Sequence, residues 1–281
     1  MRTITTILAT LIIFTSVAQN TFVHKTETTE IILLSEGQRD GRMDILIGAT
    51  PEMIAELAPN NTYPSATNAF LIRTKSDKNI LIDTGLGQEL FNNLQAVGVA
   101  PETIDAVLIT HLHGDHIGGL LRDGKKAFPN AKLLMSKREA QSANENAHKT
   151  IEQYELITFE PSENIPAPVF DDIKAMANYG HTPGHVVYFI DKVAIWGDMT
   201  HAMAFQMSFP QVAVTFDSNP AEAVSARLNM LEYLVANDYI VGGMHIPYPA
   251  IGTLKSNGKG GYVFSPLNSP QGRLSDDHQS K

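Results

Sequence analysis

Short apolar segments separated by polar turns run along most of the chain. "NAFLIRT" (68–74) and "NILIDTG" (79–85) flank the polar turn "KSDK", and "IDAVLIT" (104–110) is almost continuously apolar. Similar segments recur later as "AKLLMS", "VVYFI", "KVAIWGD" and "YIVGGMH". Continuous apolar runs of this length are typical of buried strands. The pattern therefore predicts a series of strands with polar loops at their ends.

Helical patterns alternate with these strands, most clearly at 219–238, "NPAEAVSARLNMLEYLVAND". Asn219 is a good N-cap, Pro220 suits the first helical position, and Glu222 completes a capping box. The region 27–48 mixes apolar and polar residues in short runs, which predicts half-buried strands with a turn at "EGQRDG". Together these elements indicate an α/β protein.

Composition narrows the range of functions. The 281 residues, 43% of them hydrophobic, can bury a large core in one large or two small domains. The formal net charge of −9 and the lack of a long Lys/Arg run argue against a nucleic-acid partner. The chain has no cysteine, which excludes a thiol nucleophile, a Cys-ligated zinc site and an iron–sulfur site. A bound metal would need His, Asp or Glu ligands.

The two ends of the chain differ from the rest. Arg2, an apolar stretch at 7–14 and "SVA" at 16–18 are typical of a secretory signal peptide, so we expect residues 1–18 to be removed and the protein to be periplasmic or secreted. The apolar stretch is shorter than the ~20 residues that span a bilayer, so we expect no stable membrane anchor. The polar tail at 268–281 is predicted to be disordered.

The densest polar cluster, "HLHGDH" (111–116), directly follows a predicted strand. Because residues two apart in a strand project the same way, His111 and His113 can converge on one point. Gly114 lets the backbone turn, so that Asp115 and His116 can face a second point nearby. Imidazoles and carboxylates are metal ligands, and a divalent cation would remove the repulsion within such a cluster.

More histidines and aspartates lie near the ends of later strands, where α/β enzymes place their sites. They are His181 and His185 in "GHTPGH", Asp198 and His201 in "WGDMTH", and His245 in "GGMH". Each residue alone would be read as a hydrogen-bonded buried side chain or a turn residue. Four such clusters in one chain instead predict a site for two metal ions.

The segments "THLHGDHIGG", "GHTPGH", "WGD" and "GGMH", in this order and with "ILIDTG" upstream, resemble the metallo-β-lactamase superfamily of hydrolases. The resemblance extends over about 68–264. It implies an αββα sandwich, in which two mixed β-sheets are flanked by helices and a dinuclear metal site lies along one edge. Residues 19–267 would then form one hydrolase domain.

The resemblance also implies a role for each residue of the motifs. The first cation would be bound by His111, His113 and His185. The second would be bound by Asp115, His116 and His245, and Asp198 would bridge the two. His181 would lie beside the site without binding metal, and Asp83 of "IDTG" would orient a ligand imidazole. Asp198, Asp115 and His201 are the candidate catalytic residues.

Such a site suits hydrolysis. Two cations ~3.5–4 Å apart can bind one hydroxide between them at neutral pH and polarise the oxygen of the scissile group. The hydroxide would attack a carbonyl or phosphoryl centre, and the cations would stabilise the developing negative charge. Zinc is the default metal for nitrogen and oxygen ligands, and manganese, iron and cobalt are compatible with the same donors.

The last third of the chain bears on the substrate. "GDMTHAMAFQMSFPQVAVTFDSNPAEA" and "GGMHIPYPAIGTLKSNGKGGYVFSP" resemble the group of methyl parathion hydrolase and N-acyl-homoserine lactonases. Simpler lactonases have a tyrosine three residues after the bridging aspartate, where this chain has His201. This histidine could hydrogen-bond the leaving group or an outer ligand, or simply pack. β-Lactamases are disfavoured, because two subclasses use a cysteine ligand and the third typically lacks the bridging aspartate.

An alternating apolar stretch completes the candidate site. Period-2 spacing in "HAMAFQMSFP" puts its alternate apolar side chains on one face, where they could line a substrate cleft, the core or a dimer interface: Met203, Phe205, Met207 and Phe209. We expect a small-molecule substrate, most simply a lactone or aryl ester. A phosphotriester substrate, a β-lactam substrate, a non-catalytic metal-stabilised binding module and a homodimer stay open.

Overall fold

The computed structural model describes residues 20–268, so the predicted signal peptide and all but the first residue of the predicted tail lie outside the described residues. Within the described part, no helix combines the length and apolar character needed to cross a bilayer. The strands are β1 (Thr21–Lys25), β2 (Glu30–Gly41), β3 (Leu46–Ile47), β4 (Tyr63–Arg73), β5 (Asn79–Ile82), β6 (Ile104–Leu108), β7 (Leu121–Arg122), β8 (Lys125–Lys126), β9 (Lys132–Ser136), β10 (Glu155–Phe159), β11 (Ala167–Phe170), β12 (Ile173–Ala177), β13 (Val186–Ile190), β14 (Val193–Ile195), β15 (Ala213–Val214), β16 (Ile240–Gly242), β17 (Ile251–Ser256) and β18 (Tyr262–Pro266). The α-helices are α1 (Pro51–Leu57), α2 (Leu90–Ala96), α3 (Gly114–Ile117), α4 (Lys137–Gln141), α5 (Glu145–Ile151), α6 (Met203–Ser208) and α7 (Pro220–Ala236).

Two seven-stranded sheets form the centre of the molecule. The first has the order β1-β2-β4-β5-β6-β9-β10 and is antiparallel up to β5 and parallel from β5 onward. The second has the order β11-β12-β13-β14-β16-β17-β18 and is antiparallel except for the parallel pair β14 and β16. Both sheets are therefore mixed, which confirms this part of the predicted architecture.

The apolar strands are buried on both faces, as β2 illustrates. Ile31 and Leu33 point into the core between the two sheets, whereas Ile32 and Leu34 point to the opposite face of the first sheet. On that opposite face they join a second cluster that contains Leu94 of α2 and residues of α5. Because helices cover the outer faces, the near-continuous apolar runs fit strands with two buried faces. The αββα sandwich is confirmed.

Helix α7 covers the second sheet and confirms the clearest helix prediction. Its Tyr233 packs edge-on against Phe189 of β13, with ring centroids 6.3 Å apart. The side chain of Asn219 caps the helix by accepting the backbone N–H of Glu222 at 3.3 Å. The second half of the predicted capping box is wrong, because the Asn219 backbone N–H donates to Gly180 O, and the Glu222 carboxylate accepts from the Asn219 side-chain amide.

The predicted turn at "EGQRDG" (36–41) is also wrong, because β2 continues through it. Ser35 pairs with Asn68 and Gln38 with Ala66, so two residues of β2 face the single intervening residue of β4. The extra residue is a β-bulge, and Gly37 adopts φ 111° within it, a value that favours glycine. Turn-forming residues therefore reshape a strand here instead of ending it.

Residues 203–208 are helical rather than extended, so the predicted shared face of the alternate residues is wrong. In α6, Met203 and Met207 pack into the core between the sheets. Phe205 and Phe209 join a separate cluster, where the Phe205 ring lies 5.7 Å from that of Tyr63. The six residues of α6 are too few for an apolar pattern to distinguish a strand from a helix.

Candidate metal centre

Loops at one edge of the sandwich bring the predicted polar residues together. Two groups of side chains each place one possible ligand atom per residue within 4.8 Å of the others. The first group is His111, His113, His181 and Asp198. The second group is Asp115, His116 and His245. Nitrogen and carboxylate oxygen atoms in sets of three or four are the donors that divalent transition metals take in proteins.

The Asp198 carboxylate joins the two groups. Its Oδ1 lies 3.1 Å from Nε2 of His116, and its Oδ2 lies 3.2 Å from Nε2 of His245. The same Oδ2 lies 3.3 Å from Nε2 of His181. One carboxylate thus contacts ligands of both groups, which is the position that a bridging aspartate would take.

The structure corrects the choice between the two histidines of "GHTPGH". His181, which was expected to stay outside the ligand set, places Nε2 3.2 Å from Nε2 of His111 and 3.1 Å from Nδ1 of His113. His185, the expected ligand, is fully buried and uses both ring nitrogens elsewhere. Its Nδ1 donates to Asn178 O at 3.1 Å, and its Nε2 accepts the Asp198 N–H at 3.0 Å. His185 therefore has no lone pair left for a cation.

Two buried atoms test whether these residues fit a cation. His116 Nε2 and Asp198 Oδ1 are both inaccessible to solvent and, although they lie 3.1 Å from each other, form no hydrogen bond within residues 20–268. A buried polar atom without a partner is costly, at about 1–3 kcal/mol or more. A divalent cation contacting both atoms would remove that cost, so the donor set fits a metal.

Carboxylates behind the cluster fix the imidazole rings. Asp83, predicted for this role, accepts from His116 Nδ1 at 2.7 Å and from the backbone N–H of Thr110 at 2.7 Å. Asp217, which the sequence reasoning missed, accepts from His181 Nδ1 at 2.8 Å. Such contacts hold the other ring nitrogen, Nε2, toward the metal and raise its basicity. A single aspartate in "TFDSNP" carries no pattern that would have identified Asp217.

A buried glutamate, also missed, links the two loops that carry the first group. Glu139 of α4 is 1% exposed and accepts the Leu112 N–H at 2.8 Å. It also accepts the Thr182 hydroxyl at 2.7 Å and the Gly184 N–H at 2.9 Å. Leu112 lies between His111 and His113, and Thr182 follows His181. Glu139 therefore holds these loops in register without reaching the cluster.

The charges of the cluster depend strongly on one another. Burial alone would lower the pKa of His181, but Asp198 and Asp217 raise it to about 9. In the same way, burial opposes the charge of His116, yet Asp198 and Asp83 raise its pKa well above the ordinary value. Burial lowers the pKa of His113 to about 4. Without a cation, the cluster therefore keeps two of its imidazoles protonated at neutral pH.

A cavity of about 490 Å³ opens beside the cluster. His113, Asp115 and Asp198 form its polar floor, and Tyr63 and Phe216 contribute aromatic walls. Its volume lies in the range of small-molecule sites. A substrate group in this cavity would contact both ligand groups at once.

The family comparison agrees with this geometry. The protein-family model of the Metallo-beta-lactamase superfamily matches residues 62–243, which include every residue of both ligand groups except His245. The chain belongs to the metallo-beta-lactamase superfamily. Its predicted membership of this superfamily is confirmed.

Individual relatives in the superfamily match more locally. The atrochrysone carboxyl ACP thioesterase of Aspergillus chevalieri is 30% identical over 162 residues, 56% of this chain and 46% of the relative. The hydroxyacylglutathione hydrolase of Vibrio campbellii is 30% identical over 131 residues, 46% of this chain and 45% of the relative. The matches thus span about half the length of these curated relatives.

Solved structures match over nearly the whole domain. The hydrolase AbOPH superposes with a TM-score of 0.78 at 25% identity, over 90% of this chain and 99% of that chain. AidC, a dizinc quorum-quenching lactonase solved with the product N-hexanoyl-L-homoserine, superposes with a TM-score of 0.79 at 21% identity, over 89% of this chain and 99% of that chain. Both enzymes therefore share the αββα sandwich of this chain.

The remaining candidate residues of this superfamily member divide into two sets. His201 lies in the cavity wall, with its ring 4.0 Å from that of His245, and it belongs to a third possible ligand group with Asp198 and His245. The four apolar residues proposed for the substrate cleft do not line this cavity: Met203, Phe205, Met207 and Phe209. The two methionines line a separate surface depression between α6 and β18.

Proposed function

We propose that the protein is a dinuclear metal-dependent hydrolase that cleaves a carboxylic ester bond, with lactones and aryl esters as its substrates. The observation that carries this proposal is the position of Asp198 beside an open cavity, where its Oδ1 contacts His116 of the second group and its Oδ2 contacts His181 of the first. A purely structural metal site would be enclosed by protein, whereas a catalytic site keeps a face open to substrate.

The chain's own residues divide the work. The first cation would be held by His111, His113 and His181, and the second by Asp115, His116 and His245. Asp198 would contact both cations. Zinc is our choice for this donor set. When bound, the pair supplies a nucleophile from water at neutral pH and polarises the oxygen under attack. Asp83 and Asp217 keep His116 and His181 oriented with Nε2 toward the cations.

His201 is our candidate for contact with the leaving-group oxygen. Burial and the neighbouring His245 lower its pKa to about 3, so the ring is neutral at neutral pH and carries one donor and one acceptor. Its Nδ1 is buried and has no hydrogen-bond partner within the described residues. A His201→Ala variant should lose kcat toward esters with poor leaving groups and retain its metal content, whereas an unchanged kcat would assign the residue to packing.

Carboxylic substrates are favoured over phosphotriesters on two grounds. The thioesterase and the hydroxyacylglutathione hydrolase, both 30% identical over their matched regions, bear the names of enzymes that act on acyl groups. The cavity also combines the charged floor with the aromatic walls of Tyr63 and Phe216, which suits an acyl chain. The sequence from 197 to 266 resembles methyl parathion hydrolase and lactonases alike, so organophosphate hydrolysis is the alternative activity within the same site.

One assay separates these activities. Zinc-loaded protein is incubated with N-acyl-homoserine lactones, 4-nitrophenyl esters, paraoxon and nitrocefin, and turnover is compared with that of His116→Ala, which removes a ligand of the second cation. The proposal predicts turnover of lactones or aryl esters that falls by at least ~100-fold in the variant. Turnover of paraoxon alone or of nitrocefin alone would replace it by the phosphotriesterase or β-lactamase alternative. Full metal content with no turnover at all would favour a metal-stabilised binding module.

Export is a second, separate proposal. It is supported by residues 1–18 alone, through their basic residue, apolar stretch and small residues at 16 and 18. Fractionation of cells that express the full chain, with N-terminal sequencing of the product, tests it. A mature protein that begins near residue 19 in the periplasm or medium is expected, and an intact N-terminus in the cytoplasm would contradict it.

A further inference from the structure

The β-bulge in β2 determines where one arginine points. Because side chains alternate along a strand, the extra residue at 36–37 moves the following side chains to the opposite face from the one they would otherwise take. Arg39 then pairs with Ser65 of β4, and both line the cavity beside the metal centre. The bulge thus places a guanidinium on the cavity wall.

Within residues 20–268 this guanidinium has no close carboxylate partner. Its Nη2 lies 3.3 Å from Nδ1 of His245, but that nitrogen contacts Ala66 O at 2.8 Å and would donate its proton there whenever Nε2 faces a cation. The nearest carboxylate oxygen, Oδ2 of Asp115, is 3.9 Å away and belongs to the ligand cluster. Asp40 lines the same cavity but forms no ion pair with Arg39 in the structure of residues 20–268.

A second arginine on the same wall shows the contrast. Arg42 also lines the cavity, but its Nε donates to Oδ1 of Asp44 at 3.0 Å, and its guanidinium forms an ion pair with that carboxylate. Arg42 is therefore closely paired with a carboxylate, whereas Arg39 has only the 3.9 Å contact with Asp115. The Arg39 side chain is 42% exposed, so a ligand in the cavity can reach it.

We propose that Arg39 binds a carboxylate on the substrate, so that the enzyme prefers esters or lactones whose acyl part carries a negative charge. The inference rests on the proposed hydrolase function and names its substrate class. Guanidinium and carboxylate form short, paired, charge-assisted hydrogen bonds, which make Arg a selective partner for this group. Since Nη2 lies within 4 Å of two residues that would hold the second cation, His245 and Asp115, the carboxylate would lie only a few bonds from the scissile ester.

The test uses two esters that differ in one charge. 4-Nitrophenyl hydrogen glutarate carries a free carboxylate, and methyl 4-nitrophenyl glutarate is its neutral ester. For the zinc-loaded wild-type protein we expect a higher kcat/KM with the anionic ester, expressed mainly in KM. In Arg39→Gln the ratio of the two kcat/KM values should fall by about 10- to 100-fold, the usual effect of losing a hydrogen bond to a charged group.

Controls separate this proposal from its alternatives. Arg42→Gln should leave the ratio unchanged, because that arginine is already paired with Asp44. Arg39→Lys keeps the charge without the paired geometry and should lie between wild type and Arg39→Gln. An unchanged ratio in Arg39→Gln, or the same fall in Arg42→Gln, would overturn the assignment. An equal loss for both esters would overturn it too, because it would indicate a contact that does not depend on the substrate charge.

A binding measurement keeps this inference distinct from the proposed function. The hydrolase proposal stands or falls with the assay on lactones and aryl esters, and if it fails, the carboxylate site can still be tested by calorimetry with glutarate. Zinc-loaded wild type should then bind glutarate at least ~10-fold more tightly than Arg39→Gln. Equal affinities would overturn the role of Arg39 whatever the protein catalyses.

Discussion

Removing the Glu139 carboxylate should lower the stability of the protein and its zinc affinity, although Glu139 does not itself reach the metal cluster. It is 1% exposed and accepts three hydrogen bonds, from Leu112 N–H, the Thr182 hydroxyl and Gly184 N–H. Replacing it by glutamine turns one oxygen into an amide that donates. The Thr182 hydroxyl can rotate and accept from that amide, but a backbone N–H cannot.

The cost follows from which donor loses its acceptor. Whichever way the glutamine amide is oriented, either the Leu112 or the Gly184 N–H is left buried and unpaired, which costs about 1–3 kcal/mol. The remaining bonds lose the charge of their acceptor and become weaker. We therefore expect Glu139→Gln to lower the free energy of unfolding by about 2–4 kcal/mol. For a domain of this size that is a fall in Tm of about 5–15 °C.

The measurement is thermal unfolding of the metal-free protein, followed by zinc titration of the folded variant at a lower temperature. Glu145→Gln is the matched control, because Glu145 forms only an exposed pair with Lys149 and should change stability by less than about 0.5 kcal/mol. The loops held by Glu139 carry His111, His113 and His181, so the variant should also bind zinc more weakly. A fall in Tm below about 2 °C together with unchanged zinc affinity would refute this reasoning.

Two further predictions concern the ligands directly. Asp83→Asn should keep the backbone conformation, since asparagine tolerates φ 56°, but it places an amide donor against Thr110 N–H or His116 Nδ1–H. Zinc affinity should fall about 10- to 100-fold in a competition titration, and unchanged affinity would argue against an orienting role. The raised pKa values of His181 and His116 mean that both rings are protonated in the metal-free protein at pH 7 and must lose a proton to bind metal, so zinc affinity should rise between pH 6 and 8 with release of about two protons at pH 7. Calorimetry in buffers of different ionisation enthalpy measures that number, and a value near zero would contradict it.

Much of the fold could be predicted from the apolar pattern because burial on two faces leaves a plain signature. In β5, Ile80 and Ile82 face the core between the sheets while Leu81 faces the helices, so all three positions must be apolar. The sequence therefore shows a continuous run that a surface strand would not have. The ends of these apolar runs also mark where the strands stop, so the His and Asp clusters that follow them could be placed at strand ends.

The errors came from backbone conformations that depend on tertiary contacts. "EGQRDG" contains turn-forming residues, but the bulge at Gly37 uses them inside a paired strand. The apolar alternation around Phe205 predicts one shared face, yet Gln206 accepts the backbone N–H groups of His201 and Ala202 and stabilises the first turn of a helix. Local propensity predicts neither the strand pairing around Gly37 nor the hydrogen bonds of Gln206.

The spacing of "GHTPGH" could not decide which histidine faces the cations. Gly180 adopts φ 115°, and a Cβ there would lie 2.1 Å from the backbone nitrogen of Ala223 at the start of α7. This close approach to α7 sets the direction in which the following His181 projects. His185 is held by the Asp198 N–H, a contact between segments 13 residues apart. Both determinants are tertiary, so a sequence motif alone carries neither.

The central claim is that the chain holds two cations, with His181 rather than His185 as a ligand of the first. Metal analysis of zinc-saturated, gel-filtered protein tests it most directly, in wild type, His181→Ala and His185→Gln, since glutamine also offers one donor and one acceptor. We expect about two zinc ions per chain in wild type and in His185→Gln, and about one in His181→Ala. About one ion in His185→Gln with two retained in His181→Ala would contradict the account.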